Sequence, residues 1–239
     1  MSVAGFLHQQ RTRIAKLSRR VRGADDVHDL RVATRRARAA LWMLEQSGSR
    51  ELESFHLRRL ARELRRLTRA LGRVRELDVA LADAERFGLE PVRLAHQRRK
   101  RVRKLACELA GPRRRRLTRD LKQLEGALMR GARNPQGLDR ALESVRTEAR
   151  RWEERALTRK PALHRLRISF KRARYVLEAL GRPTRGLPAL QDLLGELHDL
   201  EVLQRLLGRH PRVQARQRAL IARAGRAARP ALRRLAKLK

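Results

Sequence analysis

Two stretches of this sequence set a histidine and a file of basic residues in the same order. VHDLRVATRRARAALWML begins at Val27, and LHRLRISFKRARYVLEAL begins at Leu163. They align without a gap at an offset of 136 residues, His28 to His164. Arg31 then matches Arg167, Arg35 matches Lys171, Arg36 matches Arg172, and Arg38 matches Arg174. Guanidinium forks suit phosphate oxygens, while imidazole and ammonium groups supply single donors. Wound into a helix at about 100° per residue, Leu30, Ala33, Ala37, Leu41 and Leu44 share one face. His28, Arg31, Arg35, Arg38 and Trp42 fall together on the other side. In the second stretch Leu166, Phe170, Ala173, Leu177 and Leu180 form the apolar face, against a basic stripe of His164, Arg167, Lys171 and Arg174. Like charges at i,i+4 destabilise a helix by about a few tenths of a kcal/mol, and the sequence accepts that cost twice at equivalent positions. A solvated face would alternate signs; this pattern suits an extended phosphate-bearing polyanion.

Both histidines are expected in the first turn of their helices, with Asp25 as N-cap of the first and Pro161 as first residue of the second. The helix dipole and neighbouring arginines should then hold both imidazoles below the usual ~6.5 while no anion is bound.

A second pair of blocks follows the first. LGRVRELDV from Leu71 and LGELHDLEV from Leu194 align at an offset of 123, Gly72 to Gly195, and place Arg75 opposite His198. Two matches in the same order imply a duplicated unit of about four helices. The seam falls within 131–137 and the halves are 1–131 and 138–239. The acids near these blocks, Asp29, Glu76, Asp78, Asp199 and Glu201, are expected to pair with arginines. His28–Asp29 and His198–Asp199 resemble the His-Asp dipeptide of metal phosphohydrolases. Neighbours in a helix diverge by about 100°, however, so each dipeptide needs ligands from elsewhere. The sequence shows no such set, and no metal or other cofactor is expected. His8, His56, His96 and His210 are read as surface residues, Trp42 and Tyr175 as rim or core packing, and the arginine run 113–116 as either an electrostatic landing patch or a solvated helix start, the second being favoured.

The supporting elements are helices. Leu and Ala together number 73 against 3 Ile, 12 Val and 1 Tyr, a balance that favours helix over sheet. Helical periodicity breaks near Gly23, 47–49, Gly72, Gly88, 111–112, 131–137, 160–161, 181–186 and 208–211. The expected class is all-α. The 61 Lys and Arg against 25 Asp and Glu give a net charge of +36. Spread over the roughly 11,000 Å² expected for a chain of this mass, that is about one uncompensated charge per 300 Å². Self-repulsion of that size favours an elongated shape and a polyanionic partner. No apolar run reaches the ~20 residues of a membrane span, and one cysteine, Cys107, supports a cytosolic setting.

The HDLRVATRRAR and HRLRISFKRARY blocks, each followed by its LG block, resemble the CHAD family, the conserved histidine α-helical domain. The resemblance covers nearly the whole chain. It implies two four-helix bundles related by a pseudo-two-fold axis, binding inorganic polyphosphate on a basic surface or cleft, and residence at polyphosphate granules. By motif match it assigns His28, Arg31, Arg35, Arg36, Arg38, His164, Arg167, Lys171, Arg172 and Arg174 as ligand contacts, with His198 and its counterpart Arg75. The alternating-glutamate motif of the enzyme domain fused to some relatives is absent, so a binding module without catalysis is expected. Two alternatives stand beside it. One is sequence-independent nucleic-acid binding, which the charge supports and the 3% aromatic content opposes. The other is a histidine-dependent phosphoryl-transfer enzyme, which would need a P-loop, a metal-binding acidic cluster or a partnered nucleophile.

Overall fold

The computed structural model describes residues 2–19, 21, 23–46, 52, 55–130, 135–155, 160–184 and 186–238. Among them are nine α-helices and no strand. These are α1 (Val3–Leu17), α2 (Ala24–Glu45), α3 (Leu57–Arg86), α4 (Val92–Ala110), α5 (Pro112–Met129), α6 (Pro135–Glu153), α7 (Lys160–Ala179), α8 (Leu187–Leu207) and α9 (Pro211–Ala236). The class is all-α, as the periodicity requires.

Local chemistry explains where the helices start. The Ser2 Oγ accepts the Gly5 N–H at 3.1 Å and caps α1. Gly23 is the N-cap of α2, and its N–H donates to the Asp26 carboxylate at 3.1 Å. Asp25, the expected cap, is instead the second helical residue, and Asp26 at N3 caps the helix by accepting from the Gly23 N–H. Proline opens α5 and α9, at a position where a missing N–H costs nothing. Gly88, at φ +67°, ends α3 in the left-handed region, and the Leu89 N–H donates to the Ala84 carbonyl at 2.8 Å. Of the remaining expected breaks, 47–49 and 131–134 lie outside the described residues. Residues 135–137 already belong to α6, and 160–161 open α7.

The break expected at Gly72 is absent. α3 runs through it for 30 residues. A glycine inside a helix costs about 1 kcal/mol relative to alanine, and burial of Leu64, Leu71, Val74 and Leu77 on the same helix outweighs that. A Cβ at Gly72 would meet the Arg31 guanidinium at 3.7 Å, an ordinary contact. At Gly195, its equivalent inside α8, a Cβ would meet nothing within 4 Å. Gly195→Ala is therefore expected to stabilise the protein by about 0.5–1 kcal/mol. Urea unfolding should show a higher midpoint at unchanged slope; a lower midpoint would show that this glycine serves a contact.

The packing resolves into two compact units. The first comprises Met1–Asp78, Ala95–Ala141 and Ala179–Gly181; the second comprises Val79–Leu94, Leu142–Glu178 and Arg182–Lys239. This division differs from the halves 1–131 and 138–239 read from the repeat. Because α3 does not break at Gly72, it contributes 57–78 to the first unit and 79–86 to the second.

In the first unit α1 packs on α2 and α5. The apolar face expected for α2 is buried throughout, with Leu30, Ala33, Ala37, Leu41 and Leu44 no more than 3% exposed. His8 is more than a surface residue. Its Nδ1 pairs with the Glu125 carboxylate on α5 at 2.6 Å, and Arg11 Nε donates to the other oxygen at 2.6 Å. In the second unit α8 packs on α9. Leu166, Phe170, Ala173 and Leu177 of α7 are buried as expected. Leu180 lies just past the helix end and is half-buried.

Candidate polyanion-binding site

In the first unit α2 presents His28 at the surface, and α3 brings Arg75 to it. Partial burial is the main reason that His28 lies below the ordinary histidine value. The positive charge of Arg75 comes next, and Arg31 adds to it; Asp29 and Asp25 oppose. In the second unit α7 presents His164 and α8 brings His198, their ring centroids 5.3 Å apart and tilted by 45°. His164 is likewise lowered, by burial first and then by His198 and Arg167, with Glu201 opposing and Lys171 adding. Each unit thus joins the histidine of one repeated block to the matching position of the other block. The direction expected for both histidines agrees, but desolvation rather than arginine charge leads.

The first-turn placement needs correction. His28 is the fifth residue of α2 and His164 the fifth of α7. Only the first four N–H groups of a helix lack an internal partner, so the backbone N–H of neither histidine is among them. In α2 that first turn carries Asp25 and Asp26. The identical register of the two histidines nonetheless follows the repeat.

The basic stripes are less open than the helical projection implied. Arg31, Arg35, Arg36 and Arg38 are half-buried, as are Lys171 and Arg174, and Arg172 is exposed. Arg167 is buried, at 8% exposure, and so acts from behind the surface. Arg174 donates from Nε to Glu178 at 2.7 Å and from Nη1 to Gln191 Oε1 at 3.0 Å. Gln191 in turn donates to the Phe170 carbonyl at 3.0 Å. Arg174 thereby ties α7 to α8, a role that the motif match did not foresee. Arg172 lies 3.8 Å from Glu148.

The acids divide in the same way. Asp78 is buried and accepts from Arg98 of α4, an arginine pairing of the expected kind through a partner that the repeat does not contain. Glu201 instead lies 3.9 Å from His198 Nδ1. Asp199 lies near Asp83, whose carboxyl is pushed up by burial first and by Asp199 next. His164, His198 and Glu201 place one ligand atom each within 4.8 Å of one another. Sequence reading missed this grouping because it looked for adjacent His-Asp pairs; the i,i+3 spacing of His198 and Glu201 was the available signal. In the run 113–116, Arg114 and Arg115 donate to the Leu109 and Ala110 carbonyls at 2.9 and 3.0 Å, capping the end of α4.

A strongly basic helical protein in which each of two units sets the histidine of one repeated block beside the matching position of the other, Arg75 in one and His198 in the other, is the class that this geometry defines. The chain belongs to the CHAD domain family, whose model matches residues 5–208. Its fold is similar to the crystal structure of the CHAD domain from the plant Ricinus communis, at 20% identity and a TM-score of 0.69, covering 100% of this chain and 93% of that one. It is also similar to PptA from Streptomyces chartreusis, at 16% identity and a TM-score of 0.64, covering 98% and 94%. No curated protein matches the sequence significantly.

Proposed function

We propose that this chain binds inorganic polyphosphate without turning it over, and that it serves to target or organise polyphosphate granules. One observation carries the reading: an exposed histidine at the same helical register in two units, each with a second cationic or titratable group brought beside it from another helix. With it goes the reading of the repeat as a duplicated four-helix unit. A net charge of +36 supplies the long-range attraction. The half-buried arginines supply short-range donors shaped for phosphate oxygens. Membership of the CHAD family supports the same ligand. The aromatic fraction of 3% leaves few platforms for nucleobases, so nucleic acid should bind weakly and through its phosphates alone. Among the described residues no helix is long and apolar enough to cross a membrane.

A competition titration of polyphosphate against RNA and DNA at physiological salt tests this directly. Polyphosphate is expected to displace both; preference for either nucleic acid overturns the reading. Incubation with Mg²⁺ or Mn²⁺ should neither shorten polyphosphate nor extend it from ATP, and turnover lost in His28→Ala or His164→Ala would assign a catalytic role instead.

A further inference from the structure

We infer that the outer face of α9 is a docking surface for duplex DNA, which takes the helix into its major groove and is held through its phosphates. After Glu201 the sequence has 12 Arg and Lys and no Asp or Glu. α9 is 26 residues long, about 39 Å at ~1.5 Å per residue. Arg212, Arg223 and Arg234 are exposed and recur every 11 residues, about 16.5 Å apart. At about 100° per residue they form one row, drifting by about 20° at each step. Arg218 and Arg229, exposed and equally spaced, form a second row about 130° round the helix. Between the rows runs a ridge of exposed Ala215, Ala219 and Ala222. Arg226 and Arg233, also exposed, continue that ridge toward the C-terminal end.

Two rows with a low ridge between them select the partner. A helix with its side chains is about 10–12 Å across, and the major groove of B-DNA is about 12 Å wide with phosphates along both walls. Small side chains on the ridge let the helix enter, and the arginines on each flank reach one wall. Their planar forks match phosphate oxygens. Polyphosphate is a single file of phosphates, so it neutralises one row and leaves the other unengaged. The major groove of duplex RNA is too narrow for side chains to enter. Seating on a membrane needs bulky apolar groups at the surface, whereas Val213, Leu220 and Leu232 of this helix are buried. α4 is also basic, but its exposed Arg93, Arg99, Lys100, Arg101, Arg103 and Lys104 spread over about 200° without separating into rows.

The test uses the full chain without polyphosphate, so failure here leaves the polyphosphate reading standing. A fluorescein-labelled DNA duplex of about 20 base pairs, two helical turns, is titrated and its anisotropy followed across a range of salt. Combining Arg212→Ala, Arg223→Ala and Arg229→Ala should weaken binding by about 10–100-fold and lower the salt slope by about three. Ala219→Glu, which sets a carboxylate on the ridge, should weaken it by about 10-fold or more. Arg99→Ala, Arg101→Ala and Arg103→Ala on α4 remove the same charge and should cost far less. Alanine is the best helix former, and circular dichroism confirms that each variant is folded. Single-stranded DNA of the same length should bind more weakly than the duplex. Equal losses in the two triple variants, or a single strand bound as tightly as the duplex, overturn the proposal. So does a loss of polyphosphate affinity in the α9 variant as large as its loss of duplex affinity, which assigns the face to polyphosphate.

Discussion

Reversing Arg35 and Arg38 to glutamate should weaken the binding of long-chain polyphosphate by about 100-fold at low salt. Each lost charge-assisted contact contributes roughly 1.5–3 kcal/mol, and partial exposure of both side chains places the pair near the lower end. The slope of affinity against salt should fall by about two, one for each phosphate contact removed. His164→Ala combined with Lys171→Glu in the second unit should act comparably, since both residues reach solvent. Arg174→Glu makes an instructive contrast. Its guanidinium is held by Glu178 and Gln191, so the change should lower stability as well as affinity, and denaturant unfolding separates the two. Unchanged affinity in the Arg35→Glu, Arg38→Glu protein, with helicity intact, would remove α2 from the ligand surface.

Polyphosphate binding should tighten as pH falls, and His28 should account for much of the change in the first unit. The groups facing it are Arg75 of α3 and Asp25, Asp29 and Arg31 of its own helix. In the unliganded protein burial and Arg75 hold it below the ordinary value. A polyanion against the ring reverses the local field and raises its pKa, so the complex holds more protons than the free components. Affinity therefore increases as pH decreases through the window between the free-state and bound-state values, and is flat above it. His28→Gln should flatten that dependence and leave most of the salt dependence in place. Affinities measured at fixed ionic strength in EDTA, from about pH 5.5 to 8.5 around the ordinary value, decide the matter. A flat profile in the parent protein would give His28 a purely structural role. The same depression gives folding a contribution present above the unfolded-state pKa and lost as pH falls through the folded-state one.

The helical class, the apolar face of α2 and most of the Gly and Pro boundaries were legible because each is a local property. The spacing of Leu30, Ala33, Ala37, Leu41 and Leu44 already implies the burial observed. The repeat also marked the two blocks whose residues come together in each unit, though their sequence alone did not say that they meet. What could not be read depends on partners distant in sequence. Gly72 looks like a helix end until the burial of its neighbours along α3 is known. Arg167 and Arg174 project onto the same stripe as His164, yet one is buried and the other is engaged by Gln191, 17 residues away. The rotation of α7 against α8 decides which groups face solvent, and helical periodicity carries no information about it.

The family match stops at residue 208, within the turn that precedes α9. Packing in the second unit does not stop there. α9 buries Val213, Leu220, Ala224, Ala228 and Leu232 along one face. Arg216 also grips the Glu196 carboxylate through two nitrogens, at 2.8 and 3.0 Å. Glu196 lies on α8, half a turn from His198. The last helix therefore acts as a splint on the element that carries the histidine and glutamate of the second cluster. A fragment trimmed to the family boundary would keep every motif residue and lose the brace that sets their aim.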